Sequence, residues 1–417
     1  MRAMADETVR NAGKAVHRSA RALMWLSVAM SGIVLPEPAP ADLLMLGLIL
    51  VLPVAGLVAF EPALIMLLGM LLVAAAAALI GAAGAFEVQL AVAHTAITLY
   101  LYLGAIIIAA FIAKRPAPHA RLVLDAYLCA AIIAAVAGVV GYFDLLPGAR
   151  EMTTRYGRAT ALFKDPNVFG PFLVLAMLYA VSRLVTGSKH GAALLIAALP
   201  LLGLGILLSF SRGAWLCAGV SLVTYLALQF LTAPTQQTRV KLMQLAPLGA
   251  LGFAALLVGS LQLDEVADLF TERAALTQDY DEGPEGRFGG QQKAAGLALK
   301  HVFGIGAQQF APYFHHEEPH NTYLALFLNA GWLGGGMFLA IIASTVIYGL
   351  RHACRRPAQH SIFVAAYAAF VGHVVEAALI DIDHWRHFYL LLAVVWGLMA
   401  ATGRLNGRQH SLASREH

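Results

Sequence analysis

The sequence predicts an all-α membrane protein with about twelve transmembrane helices, and two observations carry this prediction. Of the 417 residues, 59% are hydrophobic and only 12% are charged, which is far too apolar for a soluble enzyme of two or three domains. Apolar stretches of roughly 18 to 25 residues also recur along almost the whole chain, and each can cross about 30 Å of hydrocarbon as a helix. The protein is therefore expected in a lipid bilayer.

Each predicted span is defined by the residue near which its apolar stretch begins. They begin near Arg21, Asp42, Ala63, His94, Leu122, Val168, Gly191, Gly213, Met243, Thr322, Ser361 and Phe388. The first span is the shortest and follows a basic segment, so a cleaved signal peptide is its alternative interpretation. The chain accordingly divides into N-terminal transmembrane helices (1–262), a large loop (263–321), C-terminal transmembrane helices (322–403) and a tail (404–417).

The large loop contains two stretches that mix apolar and polar positions near helical spacing. They are DEVADLFTERAAL at 264–276 and GGQQKAAGLALKHVFGIG at 289–306. Both predict short helices lying on the membrane surface, with a solvated loop as the alternative. The glycines of FGIG are interpreted as a turn that returns the loop to the membrane, because a chain with 38 glycines contains such pairs by chance.

The distribution of lysine and arginine predicts which side of the membrane each loop faces. With the N-terminus in the cytoplasm, eighteen of the 28 basic residues, including Arg183 and Lys189, fall in cytoplasmic segments. Both termini and the tail are then cytoplasmic, and the large loop is outside. The net charge of +4 mostly reflects this bias, so no nucleic-acid partner is indicated. Cys129 and Cys217 fall in apolar spans, so no external disulfide is expected, and the chain has no CxxC metal motif.

Ten basic residues nevertheless fall outside, and most of them lie beside four polar motifs. The motifs are KDPNVFG (164–170), SRG (211–213), PHNTY (319–323) and DIDHWRHF (381–388). Each motif opens a span that runs from outside to inside. All four are therefore predicted at outward-facing helix N-termini, where backbone N–H groups and the helix dipole favour an anion.

Helix capping is the alternative interpretation of the acidic and amide residues in these motifs, namely Asp165, Asn321, and Asp381 or Asp383. Capping does not account for Arg212, since a cation at a helix N-terminus opposes the dipole. A charge wedged between two apolar spans is costly unless an anion or a carboxylate meets it. A functional role is therefore expected for Arg212.

A second set of charged or titratable side chains lies within or near the predicted spans, and structural pairing is expected for it. The set comprises His94, Asp125, His373 and Glu376. A transporter or flippase is the alternative class of protein, because about twelve spans is a familiar number for it. Transporters usually carry more charge at mid-membrane depth and show a repeat between their halves, and this sequence shows neither.

The stretch HHEEPHNTYLAL (315–326) places three histidines at the start of the tenth span. His316 and His320 are four residues apart, which on a helix would place both on one face as a zinc pair. Pro319 interrupts such a helix, so a helical zinc pair is not expected, and a metal site in the loop stays the alternative. A metal site at Asp381 and Asp383 is not expected either. No Cys/His cage is expected elsewhere. His320 is then a candidate general base, with a structural histidine bonded to a backbone carbonyl as the alternative.

Four stretches occur in the order found in the O-antigen ligase and polymerase family, which this chain resembles over about residues 155–390. They are RATALFKDPNVFGPFL, LLSFSRGAWL, GRFGGQQKAAGLALKHVFGIGAQQF and PHNTYLALFLNAGWLGG. The resemblance implies a glycosyltransferase C-like membrane enzyme that takes a glycan from undecaprenyl diphosphate at the outer face of the bacterial inner membrane. The glycan passes to a sugar hydroxyl, with inversion and without a metal or other cofactor.

The resemblance also assigns roles to individual residues. The loop histidine of the family corresponds to His320 and its essential arginines to Arg212 and Arg287. Substrate contacts are expected from other polar residues of the motifs: Arg158, Lys164, Asp165, Asn167, Asn321, Tyr323, Asp381, His384 and Arg386. The tryptophan that often follows the loop arginine in the family is missing, and Gln291 and Gln292 stand there instead, so the loop departs from the family pattern at this point.

The chemistry of these residue types suits transfer from a lipid diphosphate. Arginine forks bind phosphate oxygens bidentately and stay charged, so Arg212 and Arg287 would stabilise the departing diphosphate. With an ordinary pKa of about 6.5, His320 would accept the proton of the attacking hydroxyl. The leading hypothesis is a surface-polysaccharide polymerase or transferase, and the alternative is a ligase acting on lipid A-core. A chain-length regulator and a flippase of the same pathway are possible partners.

Overall fold

The computed structural model describes residues 2–187, 191–274 and 283–413, and within these ranges the chain is almost entirely helical. The helices of the N-terminal part are α1 (Arg2–Ala29), α2 (Pro40–Val54), α3 (Pro62–Ala83), α4 (Val88–Lys114), α5 (Pro116–Tyr142), α6 (Ala149–Thr153), α7 (Pro166–Val185), α8 (Ala192–Leu208), α9 (Arg212–Leu231) and α10 (Gln236–Ser260). A short 3-10 turn (Met30–Gly32) follows α1, and strands β1 (Thr154–Arg155) and β2 (Arg158–Ala159) form a small antiparallel hairpin before α7.

The C-terminal part contains three short helices and then three long ones. They are α11 (Asp264–Ala274), α12 (Arg287–Lys300), α13 (Phe310–Tyr313), α14 (Thr322–Cys354), α15 (His360–Glu376) and α16 (Arg386–Ala413). Short helices therefore occur at both stretches of the large loop for which the sequence predicts them, and α12 begins two residues earlier than predicted. The predicted end of the first loop helix (275–276), Lys189 and the last residues of the tail (414–417) lie outside the described residues.

Seven of the described helices are long and apolar enough to cross a membrane, namely α3, α4, α5, α7, α9, α10 and α14. Four shorter apolar helices are α2, α8, α15 and the part of α16 at Arg386–Thr402. Together with α1 they occupy all twelve positions at which the sequence predicts a span. The predicted all-α membrane architecture is confirmed, whereas the count of twelve stays a prediction because several of these helices are short.

The centre of the helix bundle is built from α4, α7, α15 and α16, which are apolar nearly all round. Phe111, Phe172, Phe370 and Trp396 are almost fully buried there. The indole N–H of Trp396 donates to Thr345 Oγ1 at 2.8 Å, so its polar group is satisfied within the core. By contrast α10 lies at the periphery with most of its apolar side chains exposed, as expected for a lipid-facing helix.

Helix α14 is broken at Gly331, where the backbone adopts φ 66° and ψ −171°. Residues 302–306, which contain the FGIG turn, run along this break. Ile305 N–H donates to Leu328 O at 2.8 Å, and Trp332 N–H donates to Val302 O at 2.9 Å. The turn thereby satisfies backbone groups that the broken helix leaves open, as apolar surroundings require.

The four polar motifs all open helices, as predicted. Helices α7, α9, α14 and α16 begin at Pro166, Arg212, Thr322 and Arg386. At Gly170 a Cβ atom would lie 2.6 Å from Ala214 Cβ, so this glycine lets the starts of α7 and α9 lie side by side. The segment that joins α15 to α16, residues 377–385, is called here the 377–385 connection, and it links the other two helix starts.

Candidate functional site

The 377–385 connection is held against the start of α14 by Thr322. Thr322 N–H donates to Ala377 O, its hydroxyl donates to Ile380 O, and Ile382 N–H donates to that hydroxyl, each at 2.8 Å. The motifs PHNTY and DIDHWRHF, about sixty residues apart in sequence, therefore meet at one end of the bundle.

His320 lies at this junction, two residues before α14. Its backbone φ is 49°, and its Nε2 lies 3.4 Å from Glu317 Oε2. Burial lowers the pKa of His320, and the Arg287 guanidinium lowers it further, while the carboxylates of Glu317 and Asp165 act in the opposite direction. His320 is therefore mainly neutral at pH 7 and has a lone pair with which to accept a proton.

Arg287 is the first residue of α12 and reaches the same connection. Its Nη2 donates to the backbone carbonyl of Leu379. This contact holds the start of α12 against the 377–385 connection, which explains how a guanidinium from the large loop comes to act on His320. The loop arginine and the loop histidine, both predicted from the motifs, are thus brought together.

Asp381 lies beside the backbone of His320 and Asn321 in the same junction. Burial, with help from the carboxylates of Asp383 and Glu318, raises the pKa of Asp381 to about 8, although the N–H groups of Asn321 and His320 lower it. Asp381 is therefore mostly protonated at pH 7. Neither Asp381 nor Asp383 precedes α16 directly, because this helix begins at Arg386, so the capping role considered for them is wrong.

His384 faces α4 instead of His320. Its ring stacks on that of His94 at 3.7 Å between centroids, and its Nε2 lies 2.7 Å from Thr98 Oγ1. Burial lowers the pKa of His384 to about 4. His94 Nε2 also lies 3.6 Å from Asp383 Oδ2, so the structural pairing expected for His94 is present.

The start of α7 is fixed by caps and by a buried arginine. Asp165 Oδ1 accepts from Asn167 N–H at 2.7 Å, so the predicted N-cap is confirmed. Arg158, which is 8% exposed, donates from Nε to Ser209 O at 2.8 Å and from Nη2 to Asn167 Oδ1 at 2.7 Å. Arg158 thereby ties α7 to the turn before α9, and Lys164 pairs with Glu37.

Arg212 is the first residue of α9 and is partly buried. The cap before it is Ser211, whose hydroxyl accepts from Ala214 N–H at 3.3 Å. A Cβ at the neighbouring Gly213 would lie 3.0 Å from Glu376 Oε1. Glu376 directly precedes the 377–385 connection. The helix that begins with Arg212 therefore contacts the residue next to this connection, and the helix that begins with Arg287 contacts the connection itself.

Three other predicted substrate-binding residues are engaged with protein groups. Arg386 forms a bidentate pair with Asp42, with Nε to Oδ1 at 2.7 Å and Nη2 to Oδ2 at 2.5 Å, and Tyr100 O–H also donates to Asp42. Tyr323 O–H donates to Val374 O at 2.6 Å. Asn321 caps α14 by accepting from Leu324 N–H at 3.1 Å, as predicted.

The remaining histidines of the opening loop do not form a helical pair. Residues 315–321 are not helical, so the prediction that His316 and His320 make no helical zinc pair is confirmed. His316 Nδ1 instead lies 3.9 Å from Glu285 Oε2. Asp125 pairs with Arg183 at 2.9 Å, as expected of a structural carboxylate.

One cluster was missed by the sequence analysis, which expected no Cys/His cage. Cys217, His373 and Glu376 come within 4.8 Å of one another between α9 and α15. The carboxyl group of Glu376, for which structural pairing was expected, lies beside the Cys217 thiol, which is a hydrogen-bonding partner for it. The three-residue spacing of His373 and Glu376 was the available signal, since it places both on one helix face.

Residues 193–339 match the family model described as O-antigen ligase. This segment runs from α8 past the break in α14, and it includes Arg212, Arg287 and His320. No curated protein matches the chain. The family consists of glycosyl-transferring enzymes, and the apolar helices show an integral membrane protein. The predicted resemblance is therefore confirmed over residues 193–339, where this bacterial membrane protein matches the O-antigen ligase/polymerase family.

Proposed function

We propose that this protein transfers or polymerises surface-polysaccharide units from an undecaprenyl-diphosphate-linked donor to a sugar hydroxyl, at the outer face of the inner membrane. The observation that carries the proposal is the junction of His320, Arg287 and the 377–385 connection at the end of the bundle where four helices begin. A neutral base and a guanidinium lie there within electrostatic reach of each other.

The donor has an anionic head and an apolar tail, and the end of the bundle suits both parts. The starts of α7, α9, α14 and α16 supply N-terminal dipoles, while Arg287 supplies fixed positive charge at the 377–385 connection and Arg212 supplies it at the start of α9. Both effects stabilise the negative charge that develops on the departing diphosphate. The apolar tail has lipid and apolar helix surface beside it, since these helices continue into the bilayer.

The acceptor hydroxyl needs a base, and His320 fits this role. Its lowered pKa leaves the ring mainly neutral at pH 7, and Glu317 Oε2 at 3.4 Å can stabilise the imidazolium that forms when the proton arrives. Asp381, being protonated at this pH, adds no second negative charge that would repel the diphosphate. Attack by the oxygen opposite to the departing diphosphate inverts the anomeric centre, and no step requires a metal.

The other motif residues have two proposed tasks. Asp165, Asn167 and Asn321 contribute side chains at the helix starts, where donor phosphates and sugar hydroxyls would lie. Arg158, Lys164, Tyr323, His384 and Arg386 shape the site through the protein contacts described above. We favour a surface-polysaccharide acceptor over lipid A-core. A flippase of the same pathway would act before the enzyme, and a chain-length regulator would act together with it.

The test is glycan transfer by the purified full chain in lipid nanodiscs, supplied with an undecaprenyl-diphosphate-linked repeat unit. His320→Ala and Arg212→Ala should each lower transfer by at least about 100-fold, because they remove the base and a charge that stabilises the leaving group. His316→Gln is the matched control, and it should transfer at the wild-type rate. Retained transfer in both alanine variants, with normal helicity and yield, would refute these residue roles.

The same preparation separates the competing acceptors and the competing class. A ladder of lengthened glycans formed without added acceptor indicates a polymerase, whereas a product formed only when lipid A-core is added indicates a ligase. Movement of the intact lipid-linked glycan across proteoliposomes without any new glycosidic bond would instead indicate a transporter.

A further inference from the structure

A buried polar cluster lies below the candidate site, between α9 and α15. It consists of Cys217, His373 and Glu376, and none of the three has measurable exposure to solvent. Cys217 Sγ lies 3.5 Å from His373 Nδ1, and one ligand atom from each residue lies within 4.8 Å of the others. The cluster is part of neither the His320 junction nor its contacts, and we call it the α9–α15 cluster.

The α9–α15 cluster contains buried side-chain atoms that can accept hydrogen bonds or bind a metal ion. His373 Nδ1 lies 2.8 Å from Ala369 O, a contact that is favourable when Nδ1 carries the ring hydrogen. The lone pair is then on Nε2. Among the described residues, His373 Nε2 has no hydrogen-bond partner, and the carboxyl group of Glu376 has the Cys217 thiol, another member of the cluster, beside it. Polar atoms buried in this way are costly, and a carboxylate more so, unless a cation or a proton meets them.

The chemistry of the three side chains points to zinc. Thiolate sulfur, imidazole nitrogen and carboxylate oxygen are the three ligand types that Zn²⁺ takes in proteins. Two ligands of one tetrahedral Zn²⁺ lie about 3.5 Å apart, given bonds of about 2.3 Å to sulfur and 2.0–2.1 Å to nitrogen. One ligand atom of each residue lies within 4.8 Å of the others, and the 3.5 Å contact of Cys217 Sγ is to His373 Nδ1, so binding through Nε2 requires the sulfur to move along the ring.

Charge balance also favours a divalent cation. When the thiol of Cys217 and the carboxyl of Glu376 release their protons, the two negative charges neutralise one Zn²⁺. A neutral site avoids the cost of isolated charge in a low-dielectric helix bundle. The ring hydrogen on Nδ1 is already held by Ala369 O, which is the usual arrangement for a histidine that binds zinc through its other nitrogen.

We propose that Cys217, His373 and Glu376 bind one structural Zn²⁺ ion that joins α9 to α15. The ring of His387 lies 5.2 Å from that of His373, and its Nε2 also has no partner among the described residues, so His387 is the candidate fourth ligand. The ion would hold Glu376 against Gly213, the residue that follows Arg212 at the start of α9. The proposal concerns a site outside the reaction and does not depend on the transferase activity.

The test is the zinc content of the full chain, purified in nanodiscs through a tag that lacks histidine. The wild-type protein should contain about one zinc ion per chain. Cys217→Ser and His373→Gln should lose it, while Cys129→Ser and Cys354→Ser, which change cysteines outside the cluster, should keep it. Helicity measured by circular dichroism shows whether each variant has folded.

Exchange with Co²⁺ gives a second readout that needs only the wild-type protein and one variant. Cobalt bound by a thiolate absorbs in the near ultraviolet, so the wild-type spectrum should gain a charge-transfer band that Cys217→Ser lacks. A folded wild-type protein with fewer than about 0.1 zinc ions per chain and no cobalt band would overturn the proposal. Zinc retained at the wild-type level in folded Cys217→Ser would overturn the ligand assignment.

Discussion

His320 is surrounded by groups with opposing effects, and their balance decides its protonation. Burial and the Arg287 guanidinium lower its pKa below 6.5, whereas Glu317 and Asp165 raise it. The lowering influences prevail, so the ring is a base at neutral pH. The guanidinium proposed to stabilise the departing diphosphate therefore also favours the deprotonated form of the base.

The pH dependence of transfer should report this balance. The active form is neutral His320, so kcat/KM should fall as the pH drops through its lowered pKa, with the acid midpoint below 6.5. Glu317→Gln removes a carboxylate that raises this pKa. The acid midpoint should then move to lower pH, because the remaining influences on the ring together favour its neutral form more strongly.

Glu285→Gln is the control for the pH experiment, because it removes a carboxylate near His316 and not near His320. Its acid midpoint should equal that of the wild type. An acid midpoint above 6.5 in the wild-type protein, or a rise of the midpoint in Glu317→Gln, would contradict the role given to His320.

The Asp42–Arg386 pair should contribute more to the stability of the folded protein than to binding of the glycan donor. Both oxygens of Asp42 accept from the Arg386 fork, and the Asp42 side chain is 12% exposed. Asp42→Asn and Arg386→Gln should each lower the free energy of unfolding by about 1.5–3 kcal/mol. The double variant should cost less than the sum, since the two side chains interact directly.

Glycan transfer distinguishes a structural Arg386 from one that binds the donor. If the pair only joins α2 to α16, Asp42→Asn and Arg386→Gln should lower transfer to similar extents, which is the expected result. A loss confined to Arg386→Gln, with Asp42→Asn near the wild-type rate, would show that the guanidinium contacts the donor.

At the scale of elements, the break in α14 is the feature most sensitive to a single methyl group. Gly331 has a positive φ, and a Cβ atom there would lie 2.3 Å from Val302 O. Both the conformation and the contact exclude other residues. The break lets residues 302–306 approach the helix, and these residues connect α12, which begins with Arg287, to the rest of the large loop.

Gly331→Ala should therefore lower the free energy of unfolding by about 3 kcal/mol or more. Gly336→Ala is the matched control in the same helix, because a Cβ there has nothing within 4 Å. The control should be neutral or stabilising by up to about 1 kcal/mol, owing to the higher helix propensity of alanine. Thermal unfolding in nanodiscs measures both, and equal stability of the two variants would contradict the importance of the break.

At the scale of the whole molecule, contacts gather the starts of six helices at one end of the bundle, namely α2, α4, α7, α9, α14 and α16. Asp42 links the start of α2 to α16, and His94 links the start of α4 to the 377–385 connection. Gly170 lets the start of α7 lie against α9, and Thr322 links the start of α14 to the 377–385 connection. These helices correspond to every second predicted span. This arrangement is the one expected of a chain that crosses the bilayer back and forth.

The positive-inside rule predicts that this end faces the outside of the membrane, and labelling tests this prediction. In a Cys-free background, a cysteine introduced at the exposed Glu285 should react with a membrane-impermeant maleimide from outside intact spheroplasts. The exposed native Cys354, kept alone, should react only after the membrane is made permeable. The reverse pattern would place the candidate site in the cytoplasm and exclude the proposed donor orientation.

The sequence by itself determined where helices lie and where four of them begin. Apolar length and capping residues are local properties, so Asp165 and Asn321 were identified as caps and Pro319 excluded a helical histidine pair without knowledge of the packing. The family motifs likewise identified His320 and Arg287 as neighbours in function.

Only the tertiary structure decided which side chains meet. Arg386 pairs with Asp42, which is 344 residues away in the sequence, and Arg287 donates to a backbone carbonyl in the 377–385 connection. Cys217 on α9 lies beside His373 and Glu376 on α15. Such contacts depend on how apolar helices pack, and a helix that is apolar nearly all round carries no pattern that selects its neighbours. The same motif residues could therefore be named from the sequence, whereas their partners, and so their tasks, were set by the fold.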